Sequence, residues 1–168
     1  MNHEDLHGTE AIEKIKAIVK KAGTCFFCSA LNGTHFQARP MTVQETDDEG
    51  NLWLLSASDS HLNSQLKKNN NVQLLFRSSA HSGFLELDGI AYVMVDKEKI
   101  KKYWKPLMKT WFTEGINDSR ITVIKVETNS GYYWDNKHGD GIALVKMAVG
   151  ALIGETTDDS IEGRLKPW

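Results

Sequence analysis

Between residues 24 and 56 the chain has three apolar runs of strand length separated by turn chemistry, and few folds accept that arrangement. The first run, Thr24-Cys25-Phe26-Phe27-Cys28-Ser29-Ala30-Leu31, reads as a buried strand. Asn32-Gly33 is a two-residue hairpin signal, since both central positions of such a turn favour residues that tolerate positive φ, and it sends the next strand, 34–45, back against the first. Asp47-Asp48-Glu49-Gly50 turns the chain once more into a strand over 51–56. The result is an antiparallel meander of three strands.

Two features of this meander point to chemistry. Arg39 lies inside an apolar strand, where a guanidinium is costly unless it meets an anion or a carboxylate. Pro40 follows it, and a strand takes proline only at an edge or a bulge. The third strand then runs into Ser56-Ala57-Ser58-Asp59-Ser60, small hydroxyl residues that open a helix, where free backbone N–H groups and hydroxyls can receive a phosphate. One reading is a phosphorylated small-molecule ligand lying across the two strands; the other is an Arg–Asp pair beside an ordinary helix cap.

Bulk properties narrow the partners. A chain of 168 residues is one domain's worth, taken here as a single unit over 1–168 with its core over about 10–152. A net charge of −2 with pI near 6.3, and no Lys/Arg run, argues against nucleic acid. The start, Met1-Asn2-His3-Glu4-Asp5, has neither a basic nor an apolar leader segment, so a cytoplasmic location is expected. The longest apolar run, 141–154, carries Lys146 and falls short of the ~18 residues needed to cross a bilayer. It reads as a core or interface helix, and no membrane association is expected.

Along the rest of the chain, Thr9 caps a helix with Ile12, Ile15, Ile18 and Val19 on one face and Gly23 at its end. A short helix over 59–68 turns Leu62 and Leu66 inward, and strands follow over 72–76 and 83–96. Gly89 in the middle of the latter marks a bulge or a tight bend. A helix over 97–105 ends at Pro106, a loop carries Trp111 and Phe112, two strands occupy 120–127 and 131–135, and a second long helix spans 141–152. The polar tail, 155–168, is weakly patterned and expected to be loose or draped on a partner. About six antiparallel strands with helices between them make an α+β fold, with the sheet closed into a small six-stranded barrel to remove its edges.

Cys25 and Cys28 have CxxC spacing, but three residues of strand separate their Cα atoms by roughly 10 Å, beyond disulfide reach, and no second ligand pair is spaced for zinc. Two reduced, packed thiols and no metal are expected.

The order of Arg39-Pro40-Met41, the hairpin to Leu52-Trp53-Leu54-Leu55-Ser56, the corner Ser58-Asp59-Ser60, Asn70-Asn71-Val72, the Gly89 strand, Trp104, Trp111-Phe112, Gly115, Asp118 and Tyr132-Tyr133-Trp134-Asp135 resembles the general stress protein 26 group. That group belongs to the pyridoxamine 5′-phosphate oxidase-like superfamily of FMN-binding split β-barrels. The resemblance implies a homodimer with FMN, or alternatively FAD, in clefts at the subunit interface. It puts Arg39 near the flavin phosphate, Pro40 and Met41 at the ring edge, Leu55 and Ser56 beside the ribityl chain, Ser58 and Ser60 in the phosphate corner, and Trp111 over the cleft from the partner chain.

Two departures stand out. His61 and Leu62 occupy positions where relatives carry a basic residue that grips the phosphate, so His61 is left as the candidate ligand there. The longer oxidases hold pyridoxal with a C-terminal arginine and histidine, whereas only Arg164 lies near this chain's end, so vitamin B6 oxidation is not implied. The expected function is a stress-related, flavin-dependent oxidoreductase of open substrate; the alternative is a protein that binds or stores a flavin, deazaflavin or haem without turnover.

Overall fold

The structure is a computed structural model and describes residues 2–33, 35–80, 82–137 and 159–168. Two short strands, β1 (Asn2–His3) and β2 (Leu6–His7), lead into helix α1 (Gly8–Ala22). Ile12, Ile15, Ile18 and Val19 form its buried face, Lys20 and Lys21 sit in its last turn, and Gly23, at φ 68°, returns its N–H to the Val19 carbonyl. The helix begins at Gly8 with His7 at the cap position, so Thr9 lies inside the first turn instead of capping it.

The barrel follows: β3 (Thr24–Ser29), β4 (Gln37–Thr46), β5 (Leu52–Ala57), helix α2 (His61–Lys68), β6 (Asn71–Arg77), β7 (Phe84–Met94), helix α3 (Lys97–Tyr103), two 3₁₀ turns (Pro106–Thr110 and Gly115–Asn117) and β8 (Ile121–Asn136). Every neighbouring pair is antiparallel, and the order β3-β4-β5-β8-β7-β6 closes because β6 pairs back onto β3. This is the six-stranded barrel with flanking helices expected for an α+β split barrel. Its interior holds Phe27, Leu52, Leu54, Leu74, Leu85, Leu87, Ile124 and Val126, with α1 and α2 packed against the same core. A smaller cluster, Trp53, Ile100, Tyr103, Phe112, Ile121 and Val123, lies under α3.

Local chemistry explains the turns. Asp47 accepts the N–H groups of Glu49 and Asn51, the Asn51 amide and the Trp53 indole, and Gly50 sits at φ 80°, so the β4–β5 turn is held by one carboxylate. The bulge expected at Gly89 is present: the β7–β8 register shifts between Asp88 and Gly89, and a Cβ there would stand 2.5 Å from the Glu127 carbonyl oxygen. The β3–β4 connection is longer than a two-residue hairpin. Ala30 takes φ 59° and accepts the Gly33 N–H, so the chain leaves β3 before Asn32-Gly33 and β4 starts at Gln37.

Two further expectations are corrected. The strands expected over 120–127 and 131–135 are one strand, β8, whose far half extends beyond β5 and stays paired with β7. The tail is a strand as well: β9 (Ser160–Lys166) pairs antiparallel with β8 and parallel with β1 and β2, and it buries Ile161 and Leu165. The helix expected over 141–152 lies outside the described residues. No described helix is long and apolar enough to cross a membrane.

Candidate functional site

A seam in the barrel wall is the feature from which the site is built. The β4–β5 ladder runs only from Thr46–Leu52 to Val43–Leu54, with a register shift between Val43 and Glu45. Beyond it, residues 37–42 pair with β3 alone and residues 55–57 pair with β8 alone. The two strands therefore part, and the lips of the opening are Arg39, Pro40 and Met41 on one side and Leu55 and Ser56 on the other. Pro40 sits on this open edge, which is where a residue without an N–H costs no ladder bond.

Arg39 lies directly across β3 from Phe27, and cross-strand partners share a face, so its side chain belongs to the interior side at the barrel's end. Helix α2 meets it there. Arg39 Nη2 donates to Gln65 Oε1 at 2.8 Å and, at 3.4 Å, to Gln37 Oε1, while Nη1 is buried with no partner among the described residues. Burial pushes the Arg39 guanidinium below its usual range, the mark of a cation taken out of water without an anion beside it. Met41 packs against the core, whereas Pro40 faces outward opposite Phe26 and lines a cleft of about 380 Å³ with Phe26, Leu75 and Phe84.

On the other lip, Ser56 Oγ is 3.2 Å from Ser60 Oγ, and Ser60 caps α2 by accepting the Asn63 N–H at 3.1 Å. The first-turn N–H groups of His61 and Leu62 have no intrahelical acceptor. Ser58 and His61 are exposed, and the Ser58 N–H is used by the Arg120 carbonyl at 2.7 Å. Leu62 is different: it is only 4 % exposed, and its side chain belongs to the main core. Only its backbone faces the corner. Trp111, 64 % exposed, follows the first 3₁₀ turn. Its neighbour Phe112 is buried in the second cluster and does not contribute to an open apolar groove.

Four residues that the sequence did not single out complete the site. Gln65 links Arg39 to Ser29. Asn63 is 1 % exposed and donates to Thr122 Oγ, which in turn donates to the Ser56 carbonyl, so a buried polar chain fixes the β5 lip; Asn63 Oδ1 is buried without a partner among the described residues. Arg120 bonds the Trp111 carbonyl at 3.1 Å and pairs with Asp118 and Asp59, tying the Trp111 loop to the serine corner. None of these had a motif; only the polar Asn63 directly between Leu62 and the helix's solvent face could have been noticed.

A larger cleft, about 750 Å³, lies between α3 and the second 3₁₀ turn and is lined by Val95, Lys97, Ile100, Ile116 and Asp118; of the residues that build the site it shares only Asp118, the partner of Arg120. Cys25 and Cys28 are free and buried, and burial pushes the Cys25 thiol up to about 12 and raises Cys28 as well. Neither is a ready thiolate.

Comparisons with known proteins agree with the fold. The chain is 24% identical over 127 residues to the protein bli-3 of Neurospora crassa, a match covering 70% of the chain and 61% of that relative, so it spans about three-fifths of the relative's length. A Jannaschia sp. CCS1 protein provisionally described as general stress protein 26 has a similar structure, with a TM-score of 0.75 at 22% identity over 92% of this chain and 96% of that one. The general stress FMN/FAD binding protein of Xanthomonas citri gives 0.61 at 22% over 72% and 84%. A heme binding protein of Mycobacterium smegmatis gives 0.56 at 14% over 73% and 53%. The family model for pyridoxamine 5′-phosphate oxidase-like proteins matches residues 10–158. With that match spanning most of its length, the chain belongs to the pyridoxamine 5′-phosphate oxidase-like family.

Proposed function

We propose that this chain binds a phosphorylated flavin, FMN in preference to FAD, at the β4–β5 seam and serves as a stress-related flavin-dependent oxidoreductase of open substrate. The observation that carries the reading is the half-buried Arg39, whose partners among the described residues are neutral and whose Nη1 is buried and unpartnered among them. A phosphate monoester would supply the missing anion, with the Ser56 and Ser60 hydroxyls and the open N–H groups of α2's first turn as further donors. The residues present therefore fit the phosphate end of the cofactor. Pro40, facing outward, and Leu55 offer apolar contact along the seam for a flat ring, with Met41 packed into the core behind them.

The flavin would supply the electron chemistry; the chain's part is to bind, orient and shield. Arg39 and the corner fix one end, and Trp111, exposed on its own chain, is available to cover the ring on a second copy. This reading includes a homodimer. Besides Trp111, the outer wall exposes Phe26 (58 %), Leu75, Phe84 and Trp134, more aromatic surface than a lone chain normally leaves to water. Two buried, protonated thiols suit a reducing, cytoplasmic setting.

The test is the absorbance spectrum of the purified protein, followed by NAD(P)H consumption by the flavin-loaded form. Two bands of oxidised flavin support the reading, and turnover supports the enzyme. A single intense Soret band would replace it with haem binding, to which a fold shared with a heme binding protein is relevant.

A further inference from the structure

Gln65 holds Arg39 in a way that leaves its charge unspent. Its Oε1 accepts Ser29 Oγ–H at 2.7 Å and Arg39 Nη2–H at 2.8 Å, so both lone pairs of one carbonyl oxygen are used. Ser29 is fully buried, and two donors converging on the same atom fix which end of the amide faces Arg39. The remaining neighbours are also neutral: the Gln37 amide oxygen at 3.4 Å, and the buried Cys28 thiol, whose pKa burial raises.

The contrast within the chain is sharp. Arg120 meets Asp118 at 2.8 Å, Lys14 meets Asp135 at 2.8 Å, Lys102 meets Glu45 at 2.6 Å and Lys125 meets Glu127 at 2.9 Å. A carboxylate at position 65 could hold a guanidinium in the same place with a stronger bond. In a chain with 22 acidic residues, Arg39 instead has two glutamines.

We propose that Gln65 is the specificity-determining residue of the seam: it orients Arg39 through a neutral oxygen so that the ligand's phosphate, and nothing in the protein, neutralises the guanidinium. The inference rests on the proposed flavin site and deepens it, naming how that site separates a phosphomonoester from the same molecule without its phosphate. Gln65 acts through Arg39 and is a positioning residue.

Gln65→Glu tests it, because the side chain keeps its shape and both hydrogen bonds while supplying the anion internally. FMN and riboflavin are titrated by fluorescence quenching against wild type and variant, and the melting temperature of each is recorded. The expected result is an FMN Kd raised about tenfold or more, a riboflavin Kd unchanged, and a melting temperature equal to or above wild type. Gln37→Glu, at an exposed position that cannot unfold the barrel, should raise the FMN Kd by a smaller factor, about threefold for a longer and more solvated contact. If wild type prefers FMN and Gln65→Glu keeps that preference within about twofold, the role given to Gln65 is overturned while the flavin site stands. If wild type binds FMN no better than riboflavin, the phosphate site itself is wrong and the role of Gln65 falls with it.

Discussion

Leu62→Lys is the substitution on which family pattern and local packing give opposite expectations. Where relatives grip a phosphate with a basic residue, the variant restores a charge and should bind FMN more tightly. The structure places the Leu62 side chain in the main core with Leu66 one turn on, and only 4 % of it is exposed. Removing a buried leucine forfeits about 1.5–3 kcal/mol of burial, and an ammonium forced inward adds a desolvation cost that its flexible stem relieves in part. The sum is about 3–5 kcal/mol, which in a domain of this size lowers the melting temperature by about 6–20 °C. Leu62→Met, which conserves volume, should cost under about 1.5 kcal/mol and separates packing from charge. Thermal unfolding and FMN titration on the same samples decide the matter. A Leu62→Lys protein that melts within about 2 °C of wild type and binds FMN more tightly would refute the core placement.

Three further outcomes follow from the geometry. Sedimentation at micromolar concentration should give a dimer, and a monomer would remove Trp111 from the proposed cleft. Burial alone would raise the Asp47 carboxyl, but the Trp53 indole and the Asn51 and Glu49 donors outweigh it and hold its pKa below the usual range. Its contribution is therefore present above the ordinary aspartate pKa and lost as pH falls through the lower folded value, so Asp47→Asn should be less stable than wild type at neutral pH, with the gap closing in acid; a gap that persists unchanged in acid would remove the charge from the explanation. Gly163→Ala would drive a Cβ into the Glu4 carbonyl oxygen, so the N-terminal strands should leave β9 and become open to proteolysis before the barrel unfolds; an N-terminus as protected as in wild type would contradict that packing.

The parts of the fold legible in the sequence were those set by local chemistry. The Asp47–Gly50 turn, the Gly89 bulge, the serine-rich corner that opens α2 and the end of α3 before Pro106 each depend on a few adjacent residues, although α2 starts at His61 with Ser60 as its cap and not at residue 59. Strand β8 read as two because Thr128-Asn129-Ser130-Gly131 interrupts the apolar alternation, and the extra residue there, Asn129, is taken up as a bulge opposite Asp88 and Gly89 of β7. In β9 the alternation of Ile161, Gly163 and Leu165 is present but set among charged residues, and nothing local shows that β8 extends far enough to receive it. For the proposed site, Arg39, Pro40, Ser56 and Ser60 were singled out because an arginine and a proline are anomalous in a strand and serines before a helix offer hydroxyls to its first turn. Gln65, Asn63 and Arg120 escaped because their partners, Arg39, Thr122 and Trp111, are distant in sequence, and polar residues on a short helix or at a strand's start carry no signal by themselves.

The most direct measurement is the FMN dissociation constant of Arg39→Ala beside wild type, with melting temperatures recorded for both. Arg39 has no carboxylate partner among the described residues, so its removal breaks no ion pair, and the barrel should keep its stability closely. Loss of a charge-assisted contact of about 1.5–3 kcal/mol should weaken FMN about ten- to a hundredfold and leave riboflavin unchanged. An Arg39→Ala protein that binds FMN as wild type does would contradict the account, and would mean that this arginine serves only to join β4 to α2.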